Sequence, residues 1–306
     1  MDTKQIEYIL KIAEENNITK AAEKLFITQS ALNQQLLKLE KELGTPLFHR
    51  SRTNWRLTEA GEIYIEGAKA ALQIKNTTYN RIYDVVSARK GHLTIGLTPG
   101  RGLRMFTSIY PELHRSFPNL DVRPIEMRVR AQQDAIAKGD IDVGLMTLTQ
   151  KDQTSDTYYP LKQEELVLII PSGHPLAEKA APSGEPLATL DLTELRYEPF
   201  VLMDKTSTLR SSCDLLFEKA GFAPNILFET NNTSGIAAMV QSTLCCGIIP
   251  RYYTLGLTEG VACFSLPERP SWEIVISCQK NAYLNSGARE FIRLAREYWE
   301  NSAPLF

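Results

Sequence analysis

The sequence predicts three parts in series: an N-terminal all-α winged helix-turn-helix, a long linker helix, and a C-terminal α/β body. Three observations predict them. Over residues 4–57 apolar side chains recur at helical spacing in three short runs, and a basic hairpin follows. From Thr58 to about Ser87 the helical pattern continues with no proline. Beyond Arg89-Lys90-Gly91 the pattern changes to strand, helix, strand, helix, which implies parallel sheets with covering helices.

The first helix follows from Ile6, Ile9, Leu10 and Ala13, spaced i, i+3, i+4 and i+7 on one face. Thr19 is expected to cap a second helix carrying Ala21, Ala22 and Leu25, whose small alanines allow the close approach that a helix-turn-helix needs. Phe26-Ile27 forms the turn. Thr28 caps a third helix with Leu32, Leu36, Leu39 and Leu43 as its buried stripe; Gly44 supplies a left-handed stop and Pro46 prevents continuation. The opposite face holds Gln29, Ser30, Asn33, Gln34 and Lys38. Asn and Gln amides pair bidentately with adenine N6 and N7, and Ser serves several bases. The N-terminal part of such a helix meets base edges, which places Thr28 there too and leaves Lys38 for phosphate. A solvated polar face would look the same in isolation; the short helix before it and the hairpin after it favour DNA.

The hairpin runs from Phe48 to Leu57, with Phe48, Trp55 and Leu57 as anchors. Arg50, Arg52 and Arg56 are then expected to be free for phosphates or a minor groove, as a wing beside the third helix.

The run Ala21-Ala22, Gln29, Leu39-Glu40, Leu43-Gly44, Leu47-Phe48, Arg50 and Leu57-Thr58-Glu59-Ala60-Gly61 resembles the DNA-binding domain of LysR-type transcriptional regulators across residues 4–66. One departure stands out: Asn33 occupies a position where that family commonly has a small Ser or Thr. The resemblance implies a double-stranded DNA operator and RNA polymerase as partners.

Charge is distributed accordingly. The 306 residues carry a net charge of −2, too little for nonspecific coating of nucleic acid. Residues 1–90 hold 14 Lys+Arg against 11 Asp+Glu, and the other 216 residues hold 20 against 25. A basic reader on an acidic body favours one DNA-facing end whose affinity falls with salt. No export signal or apolar run of membrane length is evident. Five cysteines, Cys213, Cys245, Cys246, Cys263 and Cys278, have no disulfide-framework spacing, so the expected home is the cytoplasm.

In the linker, Ile65, Ala68, Leu72, Tyr79, Ile82 and Val86 recur at alternating three and four, with Lys75 at one seam position. That pattern suits a two-helix interface between subunits, against the alternative of packing on the chain's own domains. The resemblance implies such pairing, in a homodimer or homotetramer, which would place two recognition helices about 34 Å or a multiple apart.

In the α/β body, strands are expected at His92–Leu97, Leu120–Met127, Ile141–Met146, Leu166–Ile170, Phe200–Met203, Ile226–Thr230, Gly247–Ile249 and Glu273–Cys278. Helices are expected at Arg104–Phe117, Ala131–Lys138, Leu209–Ala220, Ser234–Thr243 and Ser286–Trp299, and residues 178–190 as a surface excursion. Gly173-His174-Pro175-Leu176-Ala177, Lys138-Gly139-Asp140-Ile141-Asp142 and Gly247-Ile248-Ile249-Pro250 resemble the regulatory half of the same family, which is built like a type 2 periplasmic binding protein.

That resemblance implies boundaries at 1–58 for the reader, 59–90 for the linker and 91–306 for an effector-binding domain. Within it, subdomain I would be 91–165 with 267–306, and subdomain II 166–266. A ligand would lie between them, beyond the carboxyl ends of the strands. The residues there are Thr98, Pro99, Gly100, Arg128, Thr147, Asp204, Thr206, Thr230 and Asn231. Several precede helices, whose free N–H groups cradle anions, and Arg101, Arg128 and Arg130 add positive charge. The expected effector is a small carboxylate or similar anion.

Other classes fit less well. His49, His92, His114 and His174 have no metal-ligand spacing, and neither a Gly-x-Ser-x-Gly elbow nor a dinucleotide fingerprint is present, so no metal, cofactor or catalysis is expected. A solute-binding transport module would not carry the DNA-reading front end. A cysteine-based redox sensor is the remaining alternative: the family's sensing loop corresponds here to Thr208, with Cys213 one turn later on a helix.

Overall fold

The computed structural model describes residues 2–51, 55–86, 89–182, 184–254, 257 and 259–301. The chain forms two compact units, Met1–His92 with Lys138–Asp140, and Leu93–Ala137 with Ile141–Phe306.

The first unit contains α1 (Thr3–Glu15), α2 (Ile18–Lys24), α3 (Gln29–Leu43), a hairpin of β1 (Phe48–His49) and β2 (Arg56–Leu57), and α4 (Glu59–Val85). Ile6, Ile9 and Ile12 of α1, Ala21 and Ala22 of α2, and Leu32, Leu36 and Leu39 of α3 meet in one core with Leu47 and Phe48. Thr28 caps α3, accepting the Ala31 N–H at 3.2 Å, and Gly44 ends it at φ 72. The cap of α2 is Asn17 rather than Thr19: its Oδ1 accepts the Thr19 and Lys20 N–H groups at 2.9 and 3.1 Å. Ile18 is already helical, so Thr19 lies inside the first turn and its hydroxyl is released for another partner. Leu43 does not join the stripe. It is 45% exposed, because the core closes one turn earlier, at Leu39 and Glu40.

The linker divides the expected seam in two. Ala68 is buried and Ile65 and Leu72 are half-buried against the unit's own core, so that half of the pattern serves internal packing. The other half stays open, with Tyr79, Ile82 and Val86 48, 51 and 63% exposed, and a second open line runs beside it. Ile63, Ile74 and Val85 are 67, 69 and 84% exposed. They recur every eleven residues, three helical turns, and so lie along one side of α4.

The second unit is built on a seven-stranded sheet in the order β10-β6-β11-β5-β3-β4, with β9 also paired to β6, and a separate parallel pair, β7 and β8. The strands are β3 (Lys90–Leu97), β4 (Asn119–Glu126), β5 (Val143–Leu148), β6 (Thr157–Pro171), β7 (Pro199–Met203), β8 (Asn225–Thr230), β9 (Gly247–Pro250), β10 (Val261–Ser265) and β11 (Ser271–Cys278). The helices are α5 (Arg101–Ser116), α6 (Val129–Lys138), α7 (Thr208–Ala220), α8 (Thr233–Gln241) and α9 (Ser286–Asn301). Two lobes result. In one, β3, β5 and β11 pack on α5 and α9 around Leu97, Leu113, Phe291 and Trp299. In the other, Leu166, Leu168 and Ile170 of β6 face α7, while Val167 and Ile169 face α8. A strand covered on both faces needs such an unbroken apolar run.

Parallel pairing is seen for β3 with β5 and for β7 with β8. The fifteen-residue β6 carries the chain out of the first lobe and β11 brings it back, so these neighbours run antiparallel. Their pairing slips between Ile274 and Val275, opposite Pro160 to Lys162. Pro160 has no N–H to give the ladder, and a bulge is where a sheet tolerates that.

Candidate functional site

On α3, Thr28, Gln29, Ser30, Gln34 and Lys38 are exposed and Asn33 is half-buried. The Thr19 hydroxyl donates to the Gln29 side-chain carbonyl at 3.1 Å. That bond steadies the Gln29 amide while leaving a carbonyl lone pair and the NH2 group for a base edge. Phe26, in the turn before α3, is 96% exposed in a left-handed conformation, φ 55.

The hairpin is anchored as expected. Phe48 is buried, and its ring lies 5.8 Å from that of Trp55, whose N–H reaches the Asn16 carbonyl at 2.9 Å. Arg56 is exposed on β2, and Arg52 falls outside the described residues. Arg50 is not free. It ion-pairs with the buried Glu40 of α3 and stands 5.5 Å from the Trp55 ring. Glu40 also accepts the Leu47 N–H at 2.8 Å. A hydrogen bond to a charged group is worth about 1.5–3 kcal/mol, and moving Arg50 to a phosphate would strand a buried carboxylate. Arg50 thus ties the end of β1 to α3.

In the second unit a cavity of about 400 Å³ opens between the lobes. Of the nine residues expected there, Thr98, Pro99, Gly100, Arg128, Thr147, Thr206 and Asn231 line it. Asp204 and Thr230 stand behind the wall. Thr230 accepts the Asp204 N–H at 2.8 Å through its carbonyl and the Asn232 N–H at 3.2 Å through its hydroxyl. Arg101, expected there as added positive charge, also lines it; the strand-end rule missed Ser207, Thr208, Asn232, Thr233 and Ser234, which are first-turn or capping residues one step further along the chain, and Tyr253 and Trp272, which have no sequence signal. Arg130 is exposed and is not among the lining residues.

The lining places the N-termini of α5, α6, α7 and α8 at one cavity. At about half a positive charge each, they amount to about two. The side chains add little net charge, because both lining arginines are paired. Arg101 ion-pairs with Glu164, at 4% and 7% side-chain exposure. Glu164 also accepts Trp272 Nε1 at 2.7 Å and the Tyr252 N–H at 3.0 Å. Arg128 meets Asp204 at 2.7 Å, at 43% and 26% exposure, and donates to the Thr206 hydroxyl. Burial pushes the Asp204 carboxyl up, but Arg128 and Thr206 outweigh it and hold it at about 2. The Thr98 hydroxyl, on the cavity wall, is buried with no partner among the described residues.

Packing fixes these groups. The buried Gln132 of α6 donates to the Met127 and Leu145 carbonyls at 2.9 and 3.1 Å, tying the start of α6, and with it Arg128, to β5. It lies over Gly96 and Gly144, paired in register on β3 and β5, where an added Cβ would come within 2.9 and 2.6 Å of its Oε1. Arg210 of α7 donates to the Met203 carbonyl at 3.0 Å, just before Asp204. Thr208 reaches across the cavity to the Thr147 carbonyl at 3.1 Å.

All five cysteines are free; four are buried and Cys263 is half-buried. Burial pushes Cys213 and Cys246 up to about 12 and Cys263 to about 11. No helix among the described residues is long and apolar enough to cross a membrane.

Family models match both units: "Bacterial regulatory helix-turn-helix protein, lysR family" over residues 3–62 and "LysR substrate binding domain" over residues 87–300. The chain is 29% identical to the HTH-type transcriptional regulator YcgK of Bacillus subtilis (strain 168), over 97% of this chain and 94% of that protein. A full-length OxyR point variant from Pseudomonas aeruginosa matches with a TM-score of 0.69 at 21% identity, covering 98% and 95% of the two chains. Full-length CbnR, solved with its target DNA, matches with 0.65 at 20%, covering 97% and 100%. At such identities these two likenesses speak for the fold. With both family models matched in order, the chain belongs to the LysR family of DNA-binding transcriptional regulators, with an effector-binding domain behind its reader.

Proposed function

We propose that the cavity of the second unit takes a small anionic molecule, a carboxylate, and that its occupancy sets how the chain engages its operator. The convergence of four helix N-termini on one cavity carries this reading. A ligand shifts the protein only if it prefers one arrangement of the lobes, and groups reaching across the cavity, such as Thr208 to the Thr147 carbonyl, make that preference possible.

In the reader, base contacts fall to Thr28, Gln29, Ser30, Asn33 and Gln34, and backbone contacts to Lys38 and Arg56, with Arg50 holding the wing in place. Subunits pair through the open face of α4, since the exposure of Ile63, Ile74 and Val85 is what a helix partner would cover. The chain acts in the cytoplasm as a binding protein rather than an enzyme, with RNA polymerase as its further partner at the promoter. Cysteine-based sensing is disfavoured, because a sensor needs an accessible thiolate and burial here holds the thiols protonated.

Calorimetry of the full-length protein against a panel of small organic acids and their neutral amides tests the effector reading. Heats are expected with acids alone. Silence across the whole panel, in heat and in thermal shift, would sink it.

A further inference from the structure

The two arginines of the cavity are neutralised in unlike ways, and only one is built to change partner. Arg101 is buried, and its carboxylate, Glu164, is held by two further donors. Arg128 is 43% exposed and lines the cavity. Its carboxylate, Asp204, comes from the opposite lobe and lies outside the lining.

We propose that Arg128 receives the anionic head of the effector and that Asp204 is its built-in competitor: a small monocarboxylate replaces Asp204 on Arg128. This rests on the reading of the cavity as the effector site, and it adds the residue that selects for charge and the contact given up on binding. Such an exchange keeps one carboxylate on the guanidinium throughout, so no bare cation has to be desolvated. Asp204 can be released because it retains its own hydrogen bonds, from the Thr206 N–H at 3.0 Å and the Thr206 hydroxyl at 2.5 Å. Its Oδ2 is buried with no hydrogen-bond partner among the described residues, so the carboxylate is incompletely satisfied where it stands. A neutral amide of the same shape leaves Arg128 with Asp204. A second negative charge on the ligand would face the released Asp204, which favours monoanions over dianions.

The test uses the full-length protein, with sodium propionate as probe and propionamide as its neutral counterpart, at constant ionic strength. The variants are Asp204→Asn, which keeps the shape and the hydrogen bonds to Thr206, Arg128→Met, and the double variant. Asp204→Asn is expected to bind propionate up to about fivefold more tightly than the parent, the upper end for removing an exposed ionic competitor, with propionamide unchanged. The double variant is expected to lose that gain, and Arg128→Met to lose propionate binding. Circular dichroism and retained DNA binding establish folding, and the exposed Arg128→Met change decides the matter even if Asp204→Asn proves unstable. Equal propionate affinity in all four proteins overturns the exchange while leaving the cavity as an anion site served by helix N-termini. Binding to none of the four overturns both readings.

Discussion

The two units treat their polar groups in opposite ways. On α3 the side chains that face outward, Ser30, Gln34 and Lys38 among them, stand in solvent. In the cavity the charged side chains are already bonded across strands and lobes, Arg101 to Glu164 and Arg128 to Asp204. The reader gains by adding contacts and releasing counterions, so its affinity follows salt. The paired charges of the cavity could meet a ligand only by exchanging partners, so their selectivity would depend on what a ligand can replace. Arg50 is the exception on the reader's side, since it is paired like a cavity residue.

The contrast can be broken most forcefully at Glu164. Removing it by Glu164→Ala leaves Arg101 buried and unpaired and is expected to cost about 3–5 kcal/mol. Urea denaturation of the full-length protein measures this, and a cost below about 1 kcal/mol would show that the pair is merely tolerated. In the reader, Glu40→Ala is expected to cost about 2–3 kcal/mol, because the Leu47 N–H and Arg50 both lose their acceptor. Its counterpart is Arg56→Ala, which should leave stability alone, weaken all DNA sequences alike and lower the salt slope by about 1. If Arg50→Ala behaves like Arg56→Ala, that tie is wrongly assigned.

Gln29→Ala or Asn33→Ala should cost about 1–3 kcal/mol at the base pair affected and relax preference there alone, read by selection from a random pool. Uniform weakening would move these residues to the backbone-gripping class. The smallest effect is one of pH. Asp204 is depressed from its usual 3.8 to about 2, so its stabilising share is complete well above pH 3.8 and is lost as the pH falls through about 2. Anion affinity at Arg128 should therefore be flat from about pH 5 to 8. A titration within that window would assign the competing charge to another group.

The reader was largely legible because its signals are local. Apolar spacing gave three helices, and Thr28 and Gly44 fixed the ends of α3. It misled where two residues compete for one role: Asn17 and Thr19 both suit a cap, and the backbone chose Asn17. Arg50 looked free because its partner lies ten residues back, on another element. In the second unit, seven of the nine residues read from strand ends do line the cavity, while the helix-start residues beside them carry no comparable signal. The first half of β6 was not legible, since Pro160 and its polar neighbours read as loop and only pairing with β11 makes them a strand. The pairings that neutralise Arg101 and Arg128 span 63 and 76 residues, and no pattern in the chain announces them.

The burial of four thiols and the half-burial of Cys263 have a practical consequence. With their pKa values raised by their surroundings, the native cysteines will react slowly with maleimides and iodoacetamides at neutral pH. A single cysteine introduced on the surface, at Lys38 for instance, becomes the fast-reacting handle without first stripping the others. A fluorophore there would report operator engagement in real time, in a chain whose core has not been altered to receive it.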